Sequence, residues 1–250
     1  MRILALDTAT RTCSVALVRD GEVLAERTER GAANHAATLP QLVADVLDEA
    51  GERLAAGDAV AVAIGPGSFT GLRIGLSFAK GLAFASGLRI VGVPTLDALA
   101  LAAPPWDGVL CAALDARKQE IYAALYGRDD RDARIVRLGA PVALGAADLI
   151  AALTPPCSII GDVVEAYGAL FTASLGAGVR LLASDAHPPR AAATARLAAA
   201  RLRALPAGDD LIALTPAYLR PPEAELEQSA RSPSAGTGAP RFVDKEPLLY

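Results

Sequence analysis

Imidazole is almost missing from this chain: His35 and His187 are its only histidines, and Leu39 stands one helical turn after His35. No His-x-x-x-His pair exists, so the usual two-ligand helical metal motif is excluded, and His187, before Pro188-Pro189, reads as a loop residue. Thiols are equally sparse. Cys13, Cys111 and Cys157 lie far apart in apolar runs without CxxC spacing, which argues for small buried hydrophobes in a reducing compartment. Aromatic residues make up only 4%, so the core must be aliphatic. No apolar run reaches 18 residues, and no basic stretch followed by an apolar core lies near Met1, which argues against membrane spans and secretion. The expectation is a cytoplasmic chain with no membrane partner. A basic surplus is also lacking: 24 basic and 28 acidic residues leave a net charge of −4, which disfavours an unaided grip on nucleic acid. The densest basic clusters, Arg190/Arg196/Arg201/Arg203 and Arg128/Arg131/Arg134/Arg137, read as solvated faces.

What is present centres on Gly65-Pro66-Gly67-Ser68-Phe69-Thr70-Gly71-Leu72-Arg73-Ile74-Gly75, between a strand-like run (60–64) and an apolar-periodic helix (about 68–85). A Gly-rich strand-to-helix turn aims N–H groups and a helix dipole at one point, which suits an anion. The segment nevertheless misses the standard patterns. A dinucleotide fingerprint needs Gly at 70, where Thr70 stands; a P-loop needs Gly-Lys at 70–71; a nucleophile elbow around Ser68 needs Gly at 66 and 70. A tight turn with Ser68 as helix cap is the competing reading.

The organisation is repetitive. Strand-like runs at 2–9, 13–18 and 23–29, the last two joined by the type I′ signal Asp20-Gly21, precede a helix carrying Leu39, Leu42, Val43, Val46 and Leu47 at helical spacing. Pro40 suits its first turn and Gly51 its end. Strand 60–64, helix 68–85 and strand 89–93 follow. The pattern then restarts: 109–115 ends in Leu114-Asp115 as the first strand ended in Leu6-Asp7, with further strands at 120–126, 134–138 and 158–161 and helices near 146–153, 163–174 and 191–205. This reads as a duplicated α/β chain, with 1–104 as one domain, 105–205 as the second, and Pro104–Gly108 as crossover. From Pro221 the Pro, Glu, Ser and Gly content predicts a disordered tail over 221–250.

Six segments carry a resemblance: Ile3–Thr10, Cys13–Leu17, Gly65–Gly75, Ala79–Ala83, Asp115-Ala116-Arg117-Lys118-Gln119-Glu120-Ile121-Tyr122 and Pro216-Ala217-Tyr218-Leu219-Arg220. Together they resemble the TsaB (YeaZ) family, subunits of the bacterial machinery that places a threonylcarbamoyl group on adenosine 37 of certain tRNAs. The resemblance covers residues 1 to about 220. It implies the actin-like ATPase (ASKHA) fold with duplicated ribonuclease-H-like domains, in which about 206–220 return to the first domain near Pro216–Arg220. It also implies a non-catalytic role, binding the catalytic paralogue TsaD beside a small ATPase of TsaE type. On that expectation tRNA is met only through the complex, the isolated chain needs no cofactor, and ATP and a metal are used by partner subunits. The TsaD family carries a His-x-x-x-His metal motif after the strand that follows the Gly-turn helix; here Thr95 and Leu99 stand at the corresponding places.

Helix 68–85 has one apolar stripe in Leu72, Leu76, Ala79 and Ala83 and a second in Ile74 and Phe78, with Gly71 and Gly75 on one face. In TsaB-like proteins this helix and the preceding one form the dimer surface. The expected partner interface is therefore His35, Leu39, Gly71, Ile74, Gly75 and Phe78, open to a TsaD-like paralogue or a second copy. A secondary candidate, an anion or nucleotide site, comprises Asp7, Gly65, Gly67, Ser68 and Asp115, although Asp7 is followed by Thr8-Ala9-Thr10 without the Gly-rich phosphate hairpin. An ATP-dependent phosphotransferase or ATPase of the same fold is the alternative enzyme class, and the missing ligands argue against a metalloprotease.

Overall fold

The computed structural model describes residues 1–31, 34–129, 134–182 and 190–220 and the backbone of 245–247. His187 and Arg131 lie outside the described residues. So does the 221–250 tail apart from Lys245–Pro247.

Each half builds one mixed sheet. In the first, β1 (Arg2–Asp7), β2 (Cys13–Arg19) and β3 (Glu22–Glu29) run antiparallel, and β4 (Ala59–Gly65) and β5 (Arg89–Pro94) add in parallel, giving the order β3-β2-β1-β4-β5. The Asp20-Gly21 turn takes positive φ at both residues, as a type I′ hairpin requires. The second sheet repeats the scheme with β6 (Val109–Arg117), β7 (Glu120–Arg128), β8 (Ile135–Leu138), β10 (Cys157–Ile160) and β11 (Val179–Leu181) in the order β11-β10-β6-β7-β8. A short β9 (Val142–Gly145) also pairs with β7, and β12 (Lys245–Pro247) pairs with β8. Two copies of the order 3-2-1-4-5 with helical crossovers are the duplicated ribonuclease-H-like sheets of the actin-like ATPase fold.

Helix α1 (His35–Ala50) is capped by Asn34, whose side chain accepts from Ala36 and Ala37 N–H, and it ends at Gly51 in the left-handed region. Helix α2 (Phe69–Ser86) begins with Ser68 accepting from Gly71 N–H and ends at left-handed Gly87. Both lie on the outer face of the first sheet, where Leu39, Val43, Val46, Leu76, Ala79 and Ala83 join Leu4, Leu6, Val60 and Val62 in one core. Helices α4 (Ala146–Ala152) and α5 (Val163–Leu175) cover the outer face of the second sheet.

Between the sheets lie α3 (Thr95–Leu101) and α6 (Arg190–Ala204). The abundance of Ala finds its reason in α6. Ala191, Ala192, Ala193, Ala195, Ala198 and Ala200 are all buried, and small side chains on several faces allow a helix to fit between two sheets. Although α6 is the last element of the second repeat, it packs on β1 and β2 of the first sheet, and Glu26 on β3 accepts from Ala192 N–H at 2.9 Å. Helix α6, which the sequence reading assigns to the second domain (105–205), thus packs on the first sheet. Two arginines counted as solvated also turn inward. Arg201 pairs with Asp209 at 2.7 Å, and Arg137 reaches Asp97, to which Tyr126 Oη also donates.

Candidate functional site

The Gly65–Ser68 turn sits at the carboxyl end of β4, beside the β1–β2 turn. Gly65 has φ +122°, and a β-carbon there would lie 2.6 Å from the Ala217 carbonyl oxygen, so only glycine fits. Gly67 backs onto the Ala9 carbonyl, Gly71 onto the Thr8 carbonyl and Gly75 onto the Thr8 side chain. Thr8 Oγ1 donates to the Gly71 carbonyl at 2.7 Å. The glycine row lets α2 close directly on residues 8–9. This corrects the sequence reading of Gly71 and Gly75 as partner-facing: both are buried against the chain's own first turn.

The same closure uses the donors of the anion candidate. Ser68 N–H donates to the Ala9 carbonyl at 2.6 Å and Gly65 N–H to Thr95 Oγ1 at 3.1 Å. Asp7 Oδ1 accepts from Ala9 N–H at 2.9 Å, so this buried carboxylate shapes the β1–β2 turn. Its counterpart Asp115 does the same in the second repeat, accepting from Arg117 N–H at 2.8 Å, where Arg117, Lys118 and Gln119 all hold positive φ. Asp115 N–H in turn donates to Asp162 Oδ1 at 2.8 Å. Among the described residues no three His, Cys, Asp or Glu side chains come together as a metal-binding group. Thr95 is fully buried with its hydroxyl on Gly65, and Leu99, one turn on, is packed in the core.

A segment after α6 closes this region. Ala217 N–H donates to the Ile64 carbonyl at 2.7 Å, Tyr218 stacks on Phe69 with centroids 5.0 Å apart, and Arg73 lies over the Phe69 ring while its Nε donates to Tyr218 Oη at 3.1 Å. Arg220 then reaches Glu120 of the second sheet at 2.7 Å, tying the lobes together.

The remaining interface candidates separate. Leu39 is fully buried in the core below α1, which removes it from any partner surface. His35 is half-buried, its Nε2 2.7 Å from the Thr10 carbonyl oxygen. Ile74 and Phe78 are half-buried and pack against the outer core of the first sheet. The outward face of the helix pair carries residues that sequence reasoning passed over: Ala37, Pro40 and Ala44 on α1, and Ser77, Gly81 and Ala85 on α2. Gly81 faces open space, unlike Gly71 and Gly75. Phe84, 83% exposed, and Ile212, 88% exposed, border that face, with Lys80 Nζ on the Ile212 carbonyl. A signal was available: Ser77, Gly81 and Ala85 recur every four residues opposite the Leu72–Leu76–Ala79–Ala83 stripe.

Residues 22–227 match the family model described as TsaD, tRNA N6-adenosine threonylcarbamoyltransferase. Over 88% of this chain and 99% of its own, a Pseudomonas aeruginosa structure described as an uncharacterized protein with similarity to peptidase YEAZ superposes with a TM-score of 0.72 at 33% identity. A second structure, YeaZ from the same organism, gives 0.70 at 32% identity over 87% and 99%. The chain belongs to the TsaB/YeaZ family. Among curated relatives, the tRNA threonylcarbamoyladenosine biosynthesis protein TsaB of Escherichia coli is 46% identical over 132 residues, 52% of this chain and 57% of that one. The Bacillus subtilis TsaB is 36% identical over 126 residues, 50% and 55%. The chain thus spans about half the length of the curated TsaB relatives it matches. No helix among the described residues is long and apolar enough to cross a membrane.

Proposed function

We propose that this chain acts in forming threonylcarbamoyladenosine at position 37 of tRNA as a non-catalytic subunit that binds and supports a TsaD-like paralogue. The observation that carries this reading is the pair Thr95 and Leu99. Where the transferring relatives place two imidazoles, one side chain is spent on Gly65 N–H and the other on the core, so a catalytic metal has no ligands there. Nucleotide binding by the chain alone draws no support from the Gly turn, whose Gly65 and Ser68 N–H groups already donate to Thr95 and Ala9. ATP and metal chemistry then belong to partner subunits, a TsaE-like ATPase among them, and tRNA is met through the assembly.

The partner surface in this reading is the outward face of α1 and α2. Its small residues, Ala37, Ala44, Ser77, Gly81 and Ala85, permit close helix approach, and Phe84 supplies an apolar anchor at the rim. The two helices differ in charge: α1 carries Asp45, Asp48 and Glu49 with no Lys or Arg, and α2 carries Arg73 and Lys80 with no acid. A two-fold arrangement that sets α1 of one copy on α2 of the other is therefore charge-matched, so a homodimer competes with the TsaD heterodimer. Co-purification with the organism's own TsaD tests the assignment. Wild type is expected to associate and a folded Gly81→Glu variant to lose at least ~100-fold in affinity, because a charge is then buried unpaired. Unchanged binding by Gly81→Glu would move the interface elsewhere.

A further inference from the structure

The two sheets share one topology but protect the same edge differently. In the first sheet the outermost antiparallel strand, β3, carries Glu22, Arg27 and Glu29, a charged edge of the kind that discourages pairing with other chains, while its Glu26 turns inward to Ala192 N–H. Its counterpart in the second sheet, β8, reads Ile-Val-Arg-Leu. Ile135 and Val136 are buried, and the single charge, Arg137, is drawn inward to Asp97 at 3.3 Å. Charge therefore leaves the β8 edge undefended. In its place a strand is added: the backbone of Lys245–Pro247 runs antiparallel to β8, with Lys245 opposite Leu138, Glu246 opposite Arg137 and Pro247 opposite Val136.

We infer that the β8 edge is a strand-addition site for an extended chain segment, and that its occupant is this chain's own C-terminal segment, which withholds the edge from other chains. Residues 221–244 separate the segment from Arg220 and could span up to roughly 80 Å at ~3.3 Å per residue, ample to reach β8 of the same copy. A three-residue pairing is weak by itself, and tethering raises the local concentration of the segment enough to hold it. Main-chain pairing supplies the attachment, so any extended segment offering N–H and C=O groups in this register would compete.

The test uses the full chain. Hydrogen exchange at the β8 amides turned toward the tail is compared in wild type, in Lys245→Pro/Glu246→Pro, which removes whichever of the two backbone N–H groups faces β8, and in Lys245→Thr, which keeps both. Exchange in the double-proline variant is expected to be at least ~10-fold faster, with Lys245→Thr like wild type and the β6 amides unchanged as a check on folding. A synthetic peptide of residues 241–250, added at millimolar concentration to the proline variant, should restore protection at β8. Equal β8 exchange in wild type and the proline variant would overturn the proposal, as would a peptide that restores none. Neither result depends on TsaD binding through α1 and α2.

Discussion

Gly75 of α2 lies directly against Thr8 of the β1–β2 turn: a β-carbon at Gly75 would overlap Thr8 Oγ1, the hydroxyl that donates to the Gly71 carbonyl. The helix can close on the turn only because that side chain is missing. Gly75→Glu is therefore expected to destabilise the fold itself, by ~3 kcal/mol or more, through overpacking and a buried unpaired charge. Gly81→Glu, which meets open space, should change stability by under ~1 kcal/mol, helix propensity favouring Glu over Gly. Thermal melts followed by circular dichroism separate the two; equal melting temperatures would show that α2 does not close on Thr8 as described.

Asp97 is the buried acceptor shared by Tyr126 Oη, at 2.8 Å, and Arg137, at 3.3 Å. Asp97→Ala removes the buried carboxylate that accepts from Tyr126 and pairs with Arg137, and is expected to cost ~2–4 kcal/mol. Urea unfolding should show a lower midpoint with an unchanged slope.

The strap after α6 divides into a strong and a weak contact. Tyr218 stacks on Phe69 and accepts from Arg73, so Tyr218→Ala is expected to cost about 2 kcal/mol. Arg220 and Glu120 form a half-exposed ion pair, and Arg220→Ala should change stability by under ~1 kcal/mol and less still in high salt. Chemical denaturation at two ionic strengths distinguishes them.

Asp58 sets an acid sensitivity. Burial pushes its carboxyl up, but Arg2 N–H, Ala55 N–H and the Arg2 guanidinium together outweigh burial and hold it below its ordinary value of 3.8. A depressed folded-state pKa contributes stability above the unfolded value and loses it as pH falls through the folded one. Asp58→Asn should therefore lower the melting temperature at neutral pH and flatten its decline below about pH 3.8. Parallel melting curves for the two proteins across the acid range would contradict this.

Local rules made much of the fold legible. Asp20-Gly21, the Gly51 end of α1 and the Ser68 cap of α2 each depend on residues within a turn of one another, and each stands where the sequence places it. Pro40 does not: α1 already begins at His35 under the Asn34 cap, so Pro40 lies inside the helix, past its first turn. Helix α3, buried on nearly all sides, has no amphipathic period to read, and β9 and β11 are only four and three residues long. The candidate site was legible as a segment but not in its orientation. Gly71, Gly75 and Gly81 differ only in what faces them, and Thr8, which faces the first two, lies more than 60 residues away in sequence. Leu39 was misplaced for a related reason. It sits on the core side of α1, and a helix start alone does not say which side meets the sheet.

On the proposed function, this chain supports transfer without performing it. The most direct measurement is the yield of threonylcarbamoylated tRNA with threonylcarbamoyl-adenylate supplied, from this chain alone, from TsaD alone and from both. No product is expected from this chain alone and a clear gain when it joins TsaD, with that gain lost in the folded Gly81→Glu variant. Robust product from this purified chain by itself would contradict the account.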